Sequence, residues 1–393
     1  MGFTTLSGEE CSRCSVHMQH MLEEHGVSSK EPNHHQEGCP QCDKHEHHIS
    51  EAATARKAYR ADADGAWEPG TVHFSADMMK VFMLPQLHLK DAIFTPRLTC
   101  FNETFALLMP SKCEDRAARK QHKYSTCVLW HDGLAGRGCE EVTAAFYLFL
   151  TTTCRDVKNV VLWLDNCAGQ NKSWTLMSTL LKVVHSNTTQ TETVTLKYLE
   201  PGHTSMSADA IHQVVSKNLR RAGKVEDMQD YVTANEDAGV RVLCMQPGVN
   251  MVQTEDAISR HALKVLADEG ERPYLASFKV VQFKRGSTEL WTKTSLHDTV
   301  WTAYNVMKSS ASVDEQPPIR QHAATASRER LEGIYTKLAS HMAQHKRLFW
   351  KQLVENSRGR PAGMDAVCRP AKRRAAGCTS QPRRKISKAR RCQ

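Results

Sequence analysis

Nowhere in the 393 residues do about 18 apolar residues run uncharged, so no membrane span is expected. The stretch from Met1 to Glu10 lacks a basic segment followed by an apolar one, which argues against a secretory leader. There is no internal repeat. Aromatic residues are sparse at 7%, but 40% hydrophobic and 24% charged residues exclude a globally disordered chain. Such a length suggests two or three domains. The body also lacks an excess of either charge. Lys+Arg outnumber Asp+Glu by 52 to 43, but residues 358–393 alone hold 12 Lys/Arg and one Asp, so the rest stands at 40 against 42.

Cysteine is plentiful, at 14 residues. With no leader, reduced thiols and a metal site are expected rather than a disulfide scaffold. Cys11-x-x-Cys14 and Cys39-x-x-Cys42 are two knuckles whose four thiolates suit tetrahedral Zn²⁺. Alternatively, Cys39 and Cys42 join His45, His47 or His48 and leave the first pair out. Cys127, Cys154 and Cys244 lie in or beside apolar runs and read as core residues.

Patterning divides the chain into a Cys/His-rich region with a short helix (1–65), an α/β core (68–225), a mixed extension with a closing helix (226–355) and a basic, disordered tail (356–393). Thr71–Asp77 alternates like a half-buried strand, and 92–100 and 125–130 are further strand candidates. Helices are expected over 50–63, 140–150, 174–185, 208–221 and 327–355, with strands over 160–165 and 194–199. Residues 311–320 read as a polar linker. Val160-Val-Leu-Trp-Leu164 is a continuous apolar run, as in a strand covered on both faces, and it ends in Asp165. Three strands, then helix, strand, helix, strand and helix, is the element order of an RNase H-like fold, a mixed sheet flanked by helices.

In that order Asp77 and Asp165 sit side by side at strand ends, where a lone carboxylate is costly unless paired or metal-bound. Divalent ions about 3.5–4 Å apart at such acids promote in-line phosphoryl displacement. Asp209 is the candidate third acid, with Glu200 in reserve and His203 as an aid to metal or phosphate contact. A strand-terminal Asp before Asn and Gly is also a common turn or cap residue. Arg137, in a Gly-flanked loop, and Gln170, Asn171 and Lys172, near a helix start, are candidates for DNA backbone contact.

Several stretches resemble an uncharacterised eukaryotic family of transposon-derived proteins with a DDE-type, RNase H-like integrase core. They are Phe74-Ser-Ala-Asp77 with Val81–Pro85, Leu129–Arg137, Leu162-Trp-Leu-Asp-Asn-Cys-Ala-Gly-Gln-Asn-Lys172, Glu200-Pro-Gly-His-Thr204 and His345–Trp350. The resemblance spans about residues 35–355. It implies a DDE/D transposase ancestry with Asp77 and Asp165 as the first two ligands of Mg²⁺ or Mn²⁺, and no small-molecule cofactor. Relatives carry an acid near the position of Ser216, where this chain has Val214-Val-Ser-Lys217; without that acid, Asp209 is the third candidate. The expected partners are DNA and a second copy of the chain. The tail is outside the resemblance. Its clusters Lys372-Arg373-Arg374 and Arg383-Arg384-Lys385 suit sequence-independent phosphate contact or nuclear import, which makes the nucleus the expected location.

Overall fold

The computed structural model describes residues 11–27, 35–108, 125–167, 170–254, 275–308, 312–323 and 326–357. The basic tail and its two clusters lie outside the described residues, as does the polar stretch 114–122. The fold is mixed α/β, with one ten-stranded sheet and nine α-helices among the described residues.

The strands are β1 (Thr71–Met78), β2 (Phe82–Leu84), β3 (Leu98–Leu107), β4 (Thr126–His131), β5 (Asn159–Leu164), β6 (Thr193–Tyr198), β7 (Arg241–Cys244), β8 (Val280–Lys284), β9 (Glu289–Lys293) and β10 (Thr302–Asn305). Across the sheet they run β10-β9-β8-β6-β5-β1-β3-β4-β7, with β2 paired to β3. The β1/β3 and β3/β4 pairs are antiparallel, while β1/β5 and β5/β6 are parallel. Strands after residue 225 extend the same sheet at both edges, β7 beside β4 and β8 beside β6.

The helices are α1 (Ser12–Glu24), α2 (Pro40–Asp64), α3 (Lys90–Phe94), α4 (Cys139–Thr152), α5 (Trp174–His185), α6 (Ser207–Ala222), α7 (Met228–Glu236), α8 (Arg328–Leu338) and α9 (Arg347–Asn356). Alternation along β5 explains why both faces of the sheet are covered. Val160, Leu162 and Leu164 point into the core shared with α4 and α5. Trp163 points the other way and packs with Ala55 and Tyr59 of α2. Helix α6 buries Ala208, Ile211, Val215 and Leu219, a stripe at helical spacing, against the face that also takes α7, α8 and α9.

Three expectations need correction. Residues 92–100 are not one strand: α3 covers 90–94 and β3 starts only at Leu98. The polar residues 312–320 are no free linker. Arg320 pairs with Glu140 and Glu141 at 2.8 and 3.2 Å, and Ile319 bridges Val252. The closing helix is broken between α8 and α9, because the intervening residues are held by charges before α7 and on its first turn. Glu226 accepts from the Ala343 N–H at 2.8 Å, and Lys346 reaches Asp227 and Asp230 at 3.0 and 2.6 Å. That break lets Trp350 turn inward, fully buried, to donate to the Glu226 carbonyl at 3.0 Å.

Candidate functional site

Register alone brings the first two acids together. Ala76 of β1 is the parallel partner of Leu164, the last residue of β5, so Asp77 and Asp165, the next residue on each, come out side by side. Phe74 and Ala76 share the opposite face with Leu162 and Leu164; both acids therefore face α2 and α6. Helix α6 is docked there by its Ala208 N–H, which donates to Ser75 Oγ at 3.1 Å. Asp209 lies in its first turn and accepts from the Met206 N–H at 2.7 Å, so it also acts as a helix cap. One turn further on, His212 Nδ1 lies 4.0 Å from Asp77 Oδ2.

Asp77, Asp209 and His212 each offer a ligand atom within 4.8 Å of the others. Asp165 stands outside that tight set. Its Oδ1 accepts from the Asn171 amide and, at 3.3 Å, from the Cys167 N–H. The three acids open into a cleft of about 900 Å³, walled by Ile49, Ala52 and Arg56 of α2 and by the Gly202–Ser205 loop.

Electrostatically, the cleft is under-compensated. Burial, with Asp165 and then Asp209 alongside, pushes the Asp77 carboxyl up to about 7. Burial also raises Asp165, against its two hydrogen bonds. Glu103 of β3 is fully buried, and burial followed by Asp77 and Asp165 drives it well above the carboxylate range. Burial pushes His212 down to about 4 despite the pull of Asp209, and its Nε2 is buried without a partner. An unpartnered imidazole nitrogen beside crowded carboxyls is an arrangement that a cation relieves.

Sequence reasoning passed over Glu103 and His212. The signals were an acid within a polar Asn102-Glu103-Thr104 step of a strand with apolar residues on either side, and a His three residues after Asp209 on one helix face. Glu200 is not in the cleft. It is buried and receives Lys279 at 2.5 Å, His48 at 3.1 Å and Arg13 at 3.2 Å. Burial would raise its carboxyl, but Lys279 and His48 hold it below the usual range. Asn171 and Lys172 are also buried, and Lys172 Nζ donates to the carbonyls of Phe278 and Ala276 at 2.7 and 3.1 Å. Neither is offered to a phosphate; both brace the Asp165 loop. Gln170 is half-buried, and only Arg137 of these candidates is exposed.

The cysteine pairs do not converge on one site. Cys11 caps α1 and Cys14 lies in its first turn; Cys39 and Cys42 hold the same places on α2. Each pair meets two histidines, giving two sets that could hold a metal such as zinc: Cys11, Cys14, His48 and His203, and His20, His25, Cys39 and Cys42. Both cysteine expectations are thus corrected, the shared four-thiolate site and the pairing of Cys39 and Cys42 with downstream histidines. His48 serves the first pair instead, His47 joins neither set, and His45 stacks on His17 at 3.7 Å. No disulfide joins the described cysteines.

Beyond these donor sets, α2 is anchored by Asp62, which accepts from Lys197 at 2.6 Å and from the Trp163 indole at 2.8 Å. Burial opposes ionisation of Asp62, yet His73, Lys197 and Trp163 together hold its carboxyl down at about 2.

Residues 149–265 match a domain of unknown function, DUF7869. This span takes in Asp165, His203, Asp209 and His212, but not Asp77 or the cysteine pairs. No curated protein and no solved structure matches the chain.

Proposed function

We propose that this chain is a metal-dependent phosphoryl transferase of DDE/D transposase type that acts on DNA through an RNase H-like core. The observation that carries the reading is the β1/β5 register, which sets Asp77 beside Asp165 in a cleft that Asp209 also lines, with His212 beside Asp77. The order β4-β3-β1-β5-β6, with its first pairs antiparallel and its last parallel, supports the RNase H-like assignment. Open strand ends are where such sheets place their sites.

Carboxylate oxygens suit Mg²⁺ or Mn²⁺. When bound, such ions activate a water or a DNA 3′-hydroxyl and stabilise the leaving oxygen. Asp77, Asp209 and His212 are the holding set. Asn171 orients Asp165, and Lys172 fixes the loop that carries both. The helices lining the cleft also expose Lys57 and Arg60 on α2 and Lys217, Arg220 and Arg221 on α6, a track for phosphates. The DNA substrate, the contact by Arg137 and the nuclear location rest on the resemblance and on the basic tail.

A second reading, a non-catalytic zinc- and DNA-binding descendant, is favoured by one observation: Asp165 lies outside the tight donor set; the resemblance, which implies an acid near the position of Ser216, points the same way. Nicking of supercoiled plasmid separates the two. The enzyme reading expects Mn²⁺-dependent nicking that falls on the order of 10³-fold in Asp165→Asn. Equal nicking by both proteins overturns it. DNA retention with no nicking at any Mn²⁺ concentration supports the descendant.

A further inference from the structure

The geometry points to two separate zinc ions in this chain, of which the one at Cys11, Cys14, His48 and His203 is a joint fastening the N-terminal helices to the wall of the acid cleft. The inference is independent of the chemistry proposed for the acids.

Three observations carry it. The first is donor spacing. Cys11 Sγ lies 3.3 Å from His48 Nε2, and Cys14 Sγ lies 3.4 Å from His203 Nε2. A tetrahedral ion with Zn–S of about 2.3 Å and Zn–N of about 2.0–2.1 Å requires S···N edges of about 3.5 Å. The second set shows the same compactness, with His20 Nε2 3.2 Å from Cys39 Sγ and Cys42 Sγ 3.8 Å from His25 Nε2.

The second observation is the shell around the first set. His48 turns its Nδ1 to Glu200 at 3.1 Å, which leaves Nε2 as the ligating nitrogen. A carboxylate behind a metal-bound histidine is the usual way such a ring is oriented. Glu200 is itself fixed by Lys279, so the orientation comes from the core.

The third is the close approach of the loop. Gly202 has φ +80°, and a Cβ placed there would stand 2.5 Å from Cys11 Sγ. The loop is shaped to admit that sulfur. His203 follows directly, its carbonyl accepts from Arg56 at 3.2 Å, and residues 202–205 form the cleft wall leading to Asp209. Two of the four donors thus come from α1, one from α2 and one from the core, whereas the other set joins only the N-terminal helices.

Native mass spectrometry of the full-length wild-type chain, purified with Zn²⁺, tests the count. Two zinc ions per chain are expected, and one ion overturns the proposal. Cys14→Ser and Cys42→Ser should each lose one ion, and His203→Ala should lose the same ion as Cys14→Ser. If either cysteine variant loses all zinc while folded by circular dichroism, a shared four-thiolate site is indicated and the proposal fails. Substitution with Co²⁺ gives a readout on the wild type alone: thiolate-to-metal absorption should match two thiolates per ion, and four per ion overturns the assignment. For the joint itself, hydrogen exchange in residues 200–206 should quicken at least tenfold in Cys14→Ser but not in Cys42→Ser. Equal exchange in both variants overturns that part.

Discussion

The N-terminal helices and the acid cleft gather donors by opposite physical routes. At the helices, thiols sit at helix starts, and each set closes with histidines from another segment. Soft sulfur and imidazole donors at short mutual distances form a set that is complete in itself. At the cleft, hard oxygen donors crowd at strand ends and leave charge unbalanced, with Asp77 and Glu103 both raised by burial and by their neighbours. One region offers ligand sets that could hold a metal and join helices. The other carries a cost in the fold that a bound cation offsets, as functional sites often do. Asp62 and Asp77 show the contrast in two residues: the first is half-buried with a lysine and an indole, the second lies among other acids.

The comparison breaks first if zinc removal is harmless. A zinc-selective chelator should lower the melting temperature by on the order of 10 °C, because metal and fold are linked at structural sites; differential scanning fluorimetry reads this. A shift of under about 2 °C would show that the helices hold without metal.

Asp62→Ala should cost about 3 kcal/mol, since Lys197 and Trp163 lose their acceptor in a half-buried setting. Urea unfolding checks it. The folded value of about 2 lies below the unfolded value of about 3.9, so this stabilisation is complete above pH 4 and is lost as pH falls towards 2.

Gly202→Ala should cost about 2 kcal/mol and release one zinc ion, because a side chain is strained at φ +80° and meets Cys11. Zinc release to a chromogenic chelator reads the second effect.

The smallest effect has the opposite sign. Asp77 has a folded value of about 7, above its unfolded value of about 3.9, so the metal-free protein loses stability as pH rises from 4 to 7. Asp77→Asn should therefore raise stability at pH 8 by about 1–2 kcal/mol and make no difference below pH 4. Mn²⁺ should raise the melting temperature of the wild type and leave Asp77→Asn unmoved.

What could be read in advance follows from the range of the forces involved. Val160–Leu164 and the helical pattern over 174–185 are local; β5 falls within a residue of expectation and α5 coincides with it. The adjacency of Asp77 and Asp165 was legible because parallel register and strand order determine it. The extent of α2 was not. Its first ten residues include three His and no regular apolar spacing, so the local pattern did not announce a helix there. The ligand sets were half legible: Cys-x-x-Cys announces a metal, but nothing local tells Cys14 that its partner is His203, 189 residues away. Glu103 and His212 were hidden for the same reason, since each gains meaning only from a neighbour on another element.

Helix α2 has 25 residues in one unbroken run, about 37 Å of rod. At its cap and along it lie, in order, Cys39 and Cys42 of one donor set, His48 of the other, the wall residues Ile49, Ala52 and Arg56, and the Asp62 anchor. A rod that stiff transmits displacement and does not absorb it. His48 lies one residue before the wall residue Ile49 on that rod, so whatever fixes His48 also fixes the position of the α2 side of the cleft.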